Sequence, residues 1–316
     1  MRNRFIATLT RLAADDPHLM LLTGDLGFGV LNDFAERFPR QYLNVGVAEQ
    51  NLTGVAAGLA LSGKHVFTYS IANFPTLRCL EQIRNDVCYH DLPVTIVSIG
   101  GGLSYGPLGF SHQATEDLAI MRALPNMTVV APGDDDEAGY ATAALAQLAR
   151  PAYLRLDRGA APHNYDDGER AFELGRMTIV RDTGPTVLIV STGAILATAL
   201  DAASRLSARG IAVTVASCHT LKPFDTETLR KQIARGCRMV VTVEEHSVIG
   251  GLGSAVADSI LCPGSYTPVP VLRCGLPDVL PTIVGSQSFL RSEFGLTGEA
   301  ISANVQSSLA AYEAAD

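Results

Sequence analysis

Short apolar runs recur along the first half of the chain, separated by stretches whose apolar residues return every three or four positions. The runs His18–Thr23, Gln41–Val45, His65–Tyr69, Val94–Ile99, Met127–Ala131 and Ala152–Leu156 are five or six residues long. That is too short for a helix and right for a buried strand. Helical spacing lies between them, over Ala48–Leu61, Phe74–Tyr89 and Asp134–Ala149. Strands alternating with helices predict a mostly parallel sheet covered on both faces. A polar stretch from Asp157 to Glu173, with Pro162, Asn164, Asp166, Asp167 and Gly168, breaks the alternation for longer than an ordinary loop. The pattern then resumes, with strands expected at Thr186–Ser191, Ala212–Ser217, Met239–Glu244 and Val269–Arg273 and a helix over Ile195–Ala208. The reading is therefore α/β with two doubly wound domains: 1–160, a linker 161–178, and a smaller domain 179–316.

Length and composition agree with this picture. At about 100–200 residues per domain, 316 residues suffice for two cores. With 47% hydrophobic and 18% charged residues, the chain is neither disordered nor a coiled coil. Its net charge of −8, from 24 basic and 32 acidic residues, gives no footprint for nucleic acid or an anionic membrane. No run of about 18 apolar residues suggests a membrane span, and the first residues do not resemble a signal peptide, so the cytoplasm is the expected compartment. Cys79, Cys88, Cys218, Cys237, Cys262 and Cys274 include no Cys-x-x-Cys, and they read as buried thiols rather than metal ligands or disulfides.

Open parallel sheets bind ligands at the carboxyl ends of their strands, so the loops there carry the candidate chemistry. In Asn44-Val-Gly-Val-Ala-Glu-Gln-Asn51 a strand gives way to a helix, and Glu49 shares the face of Leu52 and Ala56. Its carboxylate points inward, where it needs a partner; the plainer alternative is a favourable charge in a first helical turn. After the strand ending at Tyr69, Phe74 could stack on a planar ligand or simply fill the core. Arg78 could serve the same site or pair with Glu81 along the helix. A glycine-rich loop, Gly100-Gly-Gly-Leu-Ser-Tyr-Gly-Pro-Leu-Gly-Phe-Ser-His112, lets backbone approach a ligand closely. It ends on His112, the histidine best placed for acid–base or substrate-binding work; His18, His65, His90, His163 and His219 read as structural or surface residues. Finally, Glu244-Glu-His-Ser-Val-Ile-Gly-Gly-Leu-Gly-Ser-Ala-Val256 nearly spells a dinucleotide fingerprint. Val256 replaces its third glycine, and the required acidic residue about 20 positions on is missing.

Taken together, the Asn44–Asn51 segment, Pro93-Val-Thr-Ile, the loop ending His112-Gln113 and Leu124-Pro-Asn-Met-Thr-Val-Val-Ala-Pro132 resemble the transketolase family over nearly the whole chain. The resemblance implies a thiamine diphosphate pyrimidine-binding domain followed by a transketolase C-terminal domain. The family's other domain, whose Gly-Asp-Gly and following Asn hold the diphosphate through Mg²⁺, has no match: Gly24-Asp25-Leu26 lacks the third glycine and Asn51 falls within a helical pattern. An internal metal site is therefore not expected.

By that resemblance, Glu49 hydrogen-bonds the 1′ nitrogen of the aminopyrimidine, Phe74 with Tyr69 forms its aromatic wall, and Asp25-Leu26 packs beneath the bent cofactor. Arg78 joins the cofactor-binding set. His112 contacts sugar hydroxyls and Arg158 binds a substrate phosphate. The loop Gly106-Pro-Leu-Gly-Phe-Ser-His112 lacks the family's aspartate for a donor hydroxyl, which points to an unusual sugar. The implied function is the C-terminal subunit of a split transketolase, which moves a two-carbon ketol unit from a ketose to an aldose. Its partners would be an N-terminal subunit carrying the diphosphate and Mg²⁺ site and a second copy of itself. The alternatives are the beta chain of a 2-oxo acid dehydrogenase, a deoxyxylulose-phosphate synthase-like enzyme, and, in another class, a non-catalytic structural subunit.

Overall fold

The computed structural model describes residues 1–159, 172–262 and 269–314. Its strands are β1 (Leu19–Thr23), β2 (Tyr42–Asn44), β3 (His65–Ile71), β4 (Val94–Ile99), β5 (Thr128–Val130), β6 (Ala152–Leu156), β7 (Thr178–Asp182), β8 (Val187–Thr192), β9 (Val213–Ser217), β10 (Thr220–Lys222), β11 (Met239–Ser247) and β12 (Val271–Leu276). The helices are α1 (Arg2–Asp15), α2 (Asn32–Arg37), α3 (Glu49–Leu61), α4 (Leu80–Gln82), α5 (Asp117–Ala123), α6 (Asp135–Leu145), α7 (Leu196–Ser207), α8 (Thr226–Ala234), α9 (Leu252–Leu261), α10 (Gln287–Glu293) and α11 (Gly298–Glu313).

Two sheets form among the described residues, in the orders β10-β5-β6-β4-β3-β1-β2 and β12-β11-β8-β9-β7. Pairing is parallel except at β10 and β7, which are antiparallel edge strands. The central strands are buried on both faces, as their unbroken apolar runs require. On one face of the first sheet, Phe5 and Leu9 of α1 and Ala141 of α6 pack with Leu21, Phe67 and Leu154. On the other, Leu52 and Ala56 of α3 pack with Leu22, Val66 and Ile96, and this cluster continues into Leu188, Val190 and Val240 of the second sheet and Leu252 of α9. A third cluster, with α7 and α11, covers the far face of the second sheet. The two sheets are thus tied by shared apolar packing as well as by β10, which leaves the second half of the chain to pair with β5.

Several elements depart from the sequence reading. Neither β7 nor β10 is foreseen, because short edge strands follow from which neighbour is available rather than from their own pattern. The helix expected over Phe74–Tyr89 begins only at Leu80 and widens into a π-helical turn over Ile83–Cys88. Turns occupy 72–79 instead: Ala72 is left-handed with φ 31° and donates its N–H to Ile99, while the Thr76 hydroxyl binds the Asn73 carbonyl. Of the cysteines, Cys262 is exposed and Cys237 half-buried, correcting the expectation that all six are buried. Most of the linker assigned to 161–178, together with His163, lies outside the described residues. From Phe172 onward the chain is packed: the Phe172 ring stacks on His219 at 4.2 Å, and the Met177 N–H donates to Asp225.

Candidate functional site

Because β6, β4, β3, β1 and β2 are neighbours and parallel, their carboxyl ends form one row, and every sequence-predicted site residue except Tyr69 lies in the loops leaving it or, for Glu49, at the start of the helix that follows. Glu49 opens α3 after β2 and is 3% exposed. One of its carboxylate oxygens takes a 2.6 Å hydrogen bond from Arg78, and among the described residues the other takes no protein donor. Arg78 therefore pairs with Glu49 rather than with Glu81. The turns at 72–79 make this possible, since they carry Arg78 back over the sheet edge.

From this pair a line of contacts runs along the row. The Arg78 guanidinium lies 4.9 Å from the centre of the half-buried Phe74 ring, and Phe74 meets the His112 ring edge-on at 5.2 Å. The His112 ring is 6.3 Å from Tyr105, over which Arg158 sits at 5.3 Å. Asn73 donates to the Ser111 carbonyl and so locks the loop after β3 to the loop that carries His112. Phe74 is thus half-buried between Arg78 and His112 rather than a core residue. Beside Glu49, Asp25 has φ 59° and exchanges two hydrogen bonds with the Asn44 side chain, its carboxylate accepting at 3.1 Å and its N–H donating at 2.9 Å. Leu26 follows it, half-buried, its carbonyl accepting the Thr23 hydroxyl.

Tyr69 is not part of this surface. Strand alternation places it with Phe67 on the α1 side of the sheet, stacked on Phe5 at 6.3 Å and 3% exposed, and burial pushes its hydroxyl up to about 12. The glycine-rich loop also has a different purpose from the one expected. A methyl group at Gly101 would fall 2.2 Å from Arg155 Nε, and one at Gly102, where φ is +62°, would fall 2.6 Å from the Glu245 carbonyl. Gly101 thus lets the loop close over Arg155 of β6, and Gly102 lets it close on Glu245 of the second domain.

Sequence reading missed two further groups. A cavity of about 180 Å³ is lined by Met1, Arg2, Asn3, Asp135, Arg158 and Gly159. It joins Arg158 to Arg2, whose buried Nε has no hydrogen-bond partner in the described structure; nothing in the first turn of α1 signals this. At the domain contact, Arg155 pairs with Asp117 at 2.9 Å and donates to the Ala114 and Glu245 carbonyls, while Tyr153 donates to Asp117 at 2.5 Å. Here a signal existed: an arginine inside an apolar strand run must find partners.

The near-fingerprint is also explained. Glu244 accepts the Leu252 and Gly253 N–H groups at 2.7 and 2.8 Å, so the chain's own carboxylate occupies the anion position at the start of α9. Burial raises the pKa of this carboxyl, while His246 and the two N–H groups act to lower it. A methyl group at Gly251 would fall 2.0 Å from Glu244 Oε2. Gly251→Ala is therefore expected to destabilise the fold by about 1–3 kcal/mol, read as a lower denaturant midpoint; an unchanged midpoint would refute the packing argument.

A buried carboxylate held by Arg78, the half-buried Phe74 ring, His112 and a cavity lined by Arg2 and Arg158 therefore lie along one edge of the first sheet. Comparison with known proteins supplies the family. The model of the transketolase pyrimidine-binding domain matches residues 1–164, and that of the transketolase C-terminal domain matches 175–301. The chain is 36% identical over 301 residues to an apulose-4-phosphate transketolase subunit of Phocaeicola vulgatus, covering 95% of this chain and 94% of that one. It is 38% identical over 303 residues to a 6-deoxy-6-sulfo-D-fructose transketolase subunit of Clostridium sp. (strain MSTE9), covering 95% and 92%. A solved structure described as a split gene transketolase, inactive beta4 tetramer, superposes with a TM-score of 0.86 at 40% identity, covering 98% of this chain and 97% of that one. This chain belongs to the transketolase family, whose reaction is ketol transfer.

Proposed function

We propose that this chain is the C-terminal subunit of a two-subunit thiamine diphosphate-dependent transketolase, with its active site completed by an N-terminal subunit. The observation that carries the reading is Glu49: a carboxyl 3% exposed, held by Arg78 on one side and open to a ligand on the other, next to the half-buried Phe74 ring. These residues fit an aminopyrimidine. When bound, thiamine diphosphate supplies the carbon nucleophile for the ketol unit. Glu49 would hold and exchange the proton at the ring's 1′ nitrogen with Arg78 fixing the carboxylate's orientation, Phe74 would face the ring, and Asp25-Leu26 would support it from the neighbouring loop. Among the described residues no three His, Cys, Asp or Glu side chains gather as metal ligands. The proposal assigns the diphosphate and Mg²⁺ to the partner subunit.

His112 lies between the Phe74 wall and Tyr105, where the hydroxyls of a sugar would pass, and Arg158 with Arg2 receives its anionic end. The relatives named for apulose 4-phosphate and 6-deoxy-6-sulfofructose act on substrates of that character. Charge-assisted hydrogen bonds contribute about 1.5–3 kcal/mol. Arg158→Ala is accordingly expected to raise the KM for a phosphorylated acceptor about tenfold or more, in steady-state kinetics of the complex. An unchanged KM would reject this role.

The apolar rim of the half-site supports a covering subunit. Phe28 and Val47 are each 76% exposed, and Leu77 and Phe110 are about half exposed, each within three residues of Leu26, Glu49, Arg78 or His112. Gly54 and Gly58 lie exposed on α3, where a side-chain carbon at either would meet nothing within 4 Å, leaving room for a helix of another chain; Ala57 is buried against the sheet and takes no part. Closed symmetry favours two copies of this chain with two of the partner. Among the described residues no helix is long and apolar enough to cross a membrane; a cytoplasmic location is part of this proposal.

A further inference from the structure

The second domain contributes no residue to the line from Glu49 to Arg158, yet one of its side chains ties the loops that carry the substrate end of that line. The Gln287 amide, at the start of α10, lies 3.0 Å from Asp157 Oδ2, 2.9 Å from Glu245 Oε1 and 3.2 Å from the Ser104 hydroxyl. Asp157 is next to Arg158, and Ser104 is next to Tyr105, on which Arg158 rests. Glu245, 5% exposed, in turn accepts the Leu103 N–H at 2.6 Å and the Arg291 guanidinium. An NH₂ group has two hydrogens, and its two shortest contacts are to the two carboxylates. Gln287 is therefore the neutral donor that lets Asp157 and Glu245 stand side by side.

We propose that Gln287, acting through Asp157 and Glu245, is a positioning residue that sets the spacing of Arg158 and the Tyr105–His112 loop, and thereby the preference for an anionic substrate. This rests on the reading of Arg158 given above. Without the amide donor, the carboxylates repel, Asp157 turns outward, and Arg158 leaves its place over Tyr105.

The test uses Gln287→Met, which keeps the length of the side chain and removes the donor, in the complex with the N-terminal subunit saturated with thiamine diphosphate and Mg²⁺. The readout is the ratio of kcat/KM for glyceraldehyde 3-phosphate to that for glyceraldehyde, with hydroxypyruvate as ketol donor. The ratio should fall about tenfold. Adding Asp157→Asn, which removes one charge and brings its own amide donor toward Glu245, should restore most of it. In the chain alone, hydrogen exchange at the Leu103 amide should accelerate about tenfold in Gln287→Met. If Arg158→Ala collapses the ratio while Gln287→Met leaves it intact, the positioning role is overturned by itself. If neither changes the ratio, the Arg158 reading falls and this one with it. Equal losses on both acceptors, with no rescue by Asp157→Asn, would reduce Gln287 to ordinary packing and likewise overturn the proposal.

Discussion

Alanine in place of Glu49 is expected to lower ketol transfer by the assembled complex by about 10²–10⁴-fold, the range of a general acid–base group, with the fold retained. The loss should be chemical because the carboxyl has no other task of comparable weight. It is not the cap of α3, which begins without a side-chain cap, and its one ion-pair partner, Arg78, is half exposed and can return to water. Glu49→Gln sharpens the test: it keeps the size and hydrogen-bonding capacity of the side chain but cannot exchange a proton, so its activity should fall into the same range. Turnover is to be measured at saturating cofactor, with far-UV circular dichroism as the check on folding. Near-normal turnover in either variant would show that Glu49 does not serve the cofactor.

Purified by itself, the chain is expected to self-associate, bind thiamine diphosphate weakly and show no ketol transfer, and to gain full activity on mixing with the subunit that copurifies with it. Physically, the half-site is open along the carboxyl edge of the first sheet. In the proposed reading Glu49 and Phe74 would hold the ring of the cofactor, and the other subunit its diphosphate and metal ion. The exposed apolar rim of Phe28, Val47, Leu77 and Phe110 would be costly to leave in water, so contact between like copies is expected in the partner's absence. Titration calorimetry with cofactor and Mg²⁺, together with a transfer assay, on the chain before and after mixing, decides the matter. Tight binding and full activity from this chain alone would overturn the two-subunit reading.

The pattern of apolar runs was enough to establish by itself that this is an α/β protein with two parallel-sheet domains, because strands buried on both faces must be apolar throughout and can be recognised without their neighbours. The local signals around Glu49 were equally informative: helical spacing alone turned its carboxylate inward, and the structure finds it buried. Tertiary structure decided what depends on residues distant in the chain. It gave Arg78 to Glu49 instead of Glu81, since turns rather than a helix fill 72–79, and it sent Tyr69 into the core, since the strand's alternation faces it toward α1. It joined Arg2 to Arg158 and Gln287 to Asp157 across the fold, and it closed the glycine-rich loop on Arg155 and Glu245. A local pattern records which way a side chain must point to be buried or solvated. Which particular group it meets there is set by how helices and sheets pack, and that information is spread over the whole chain.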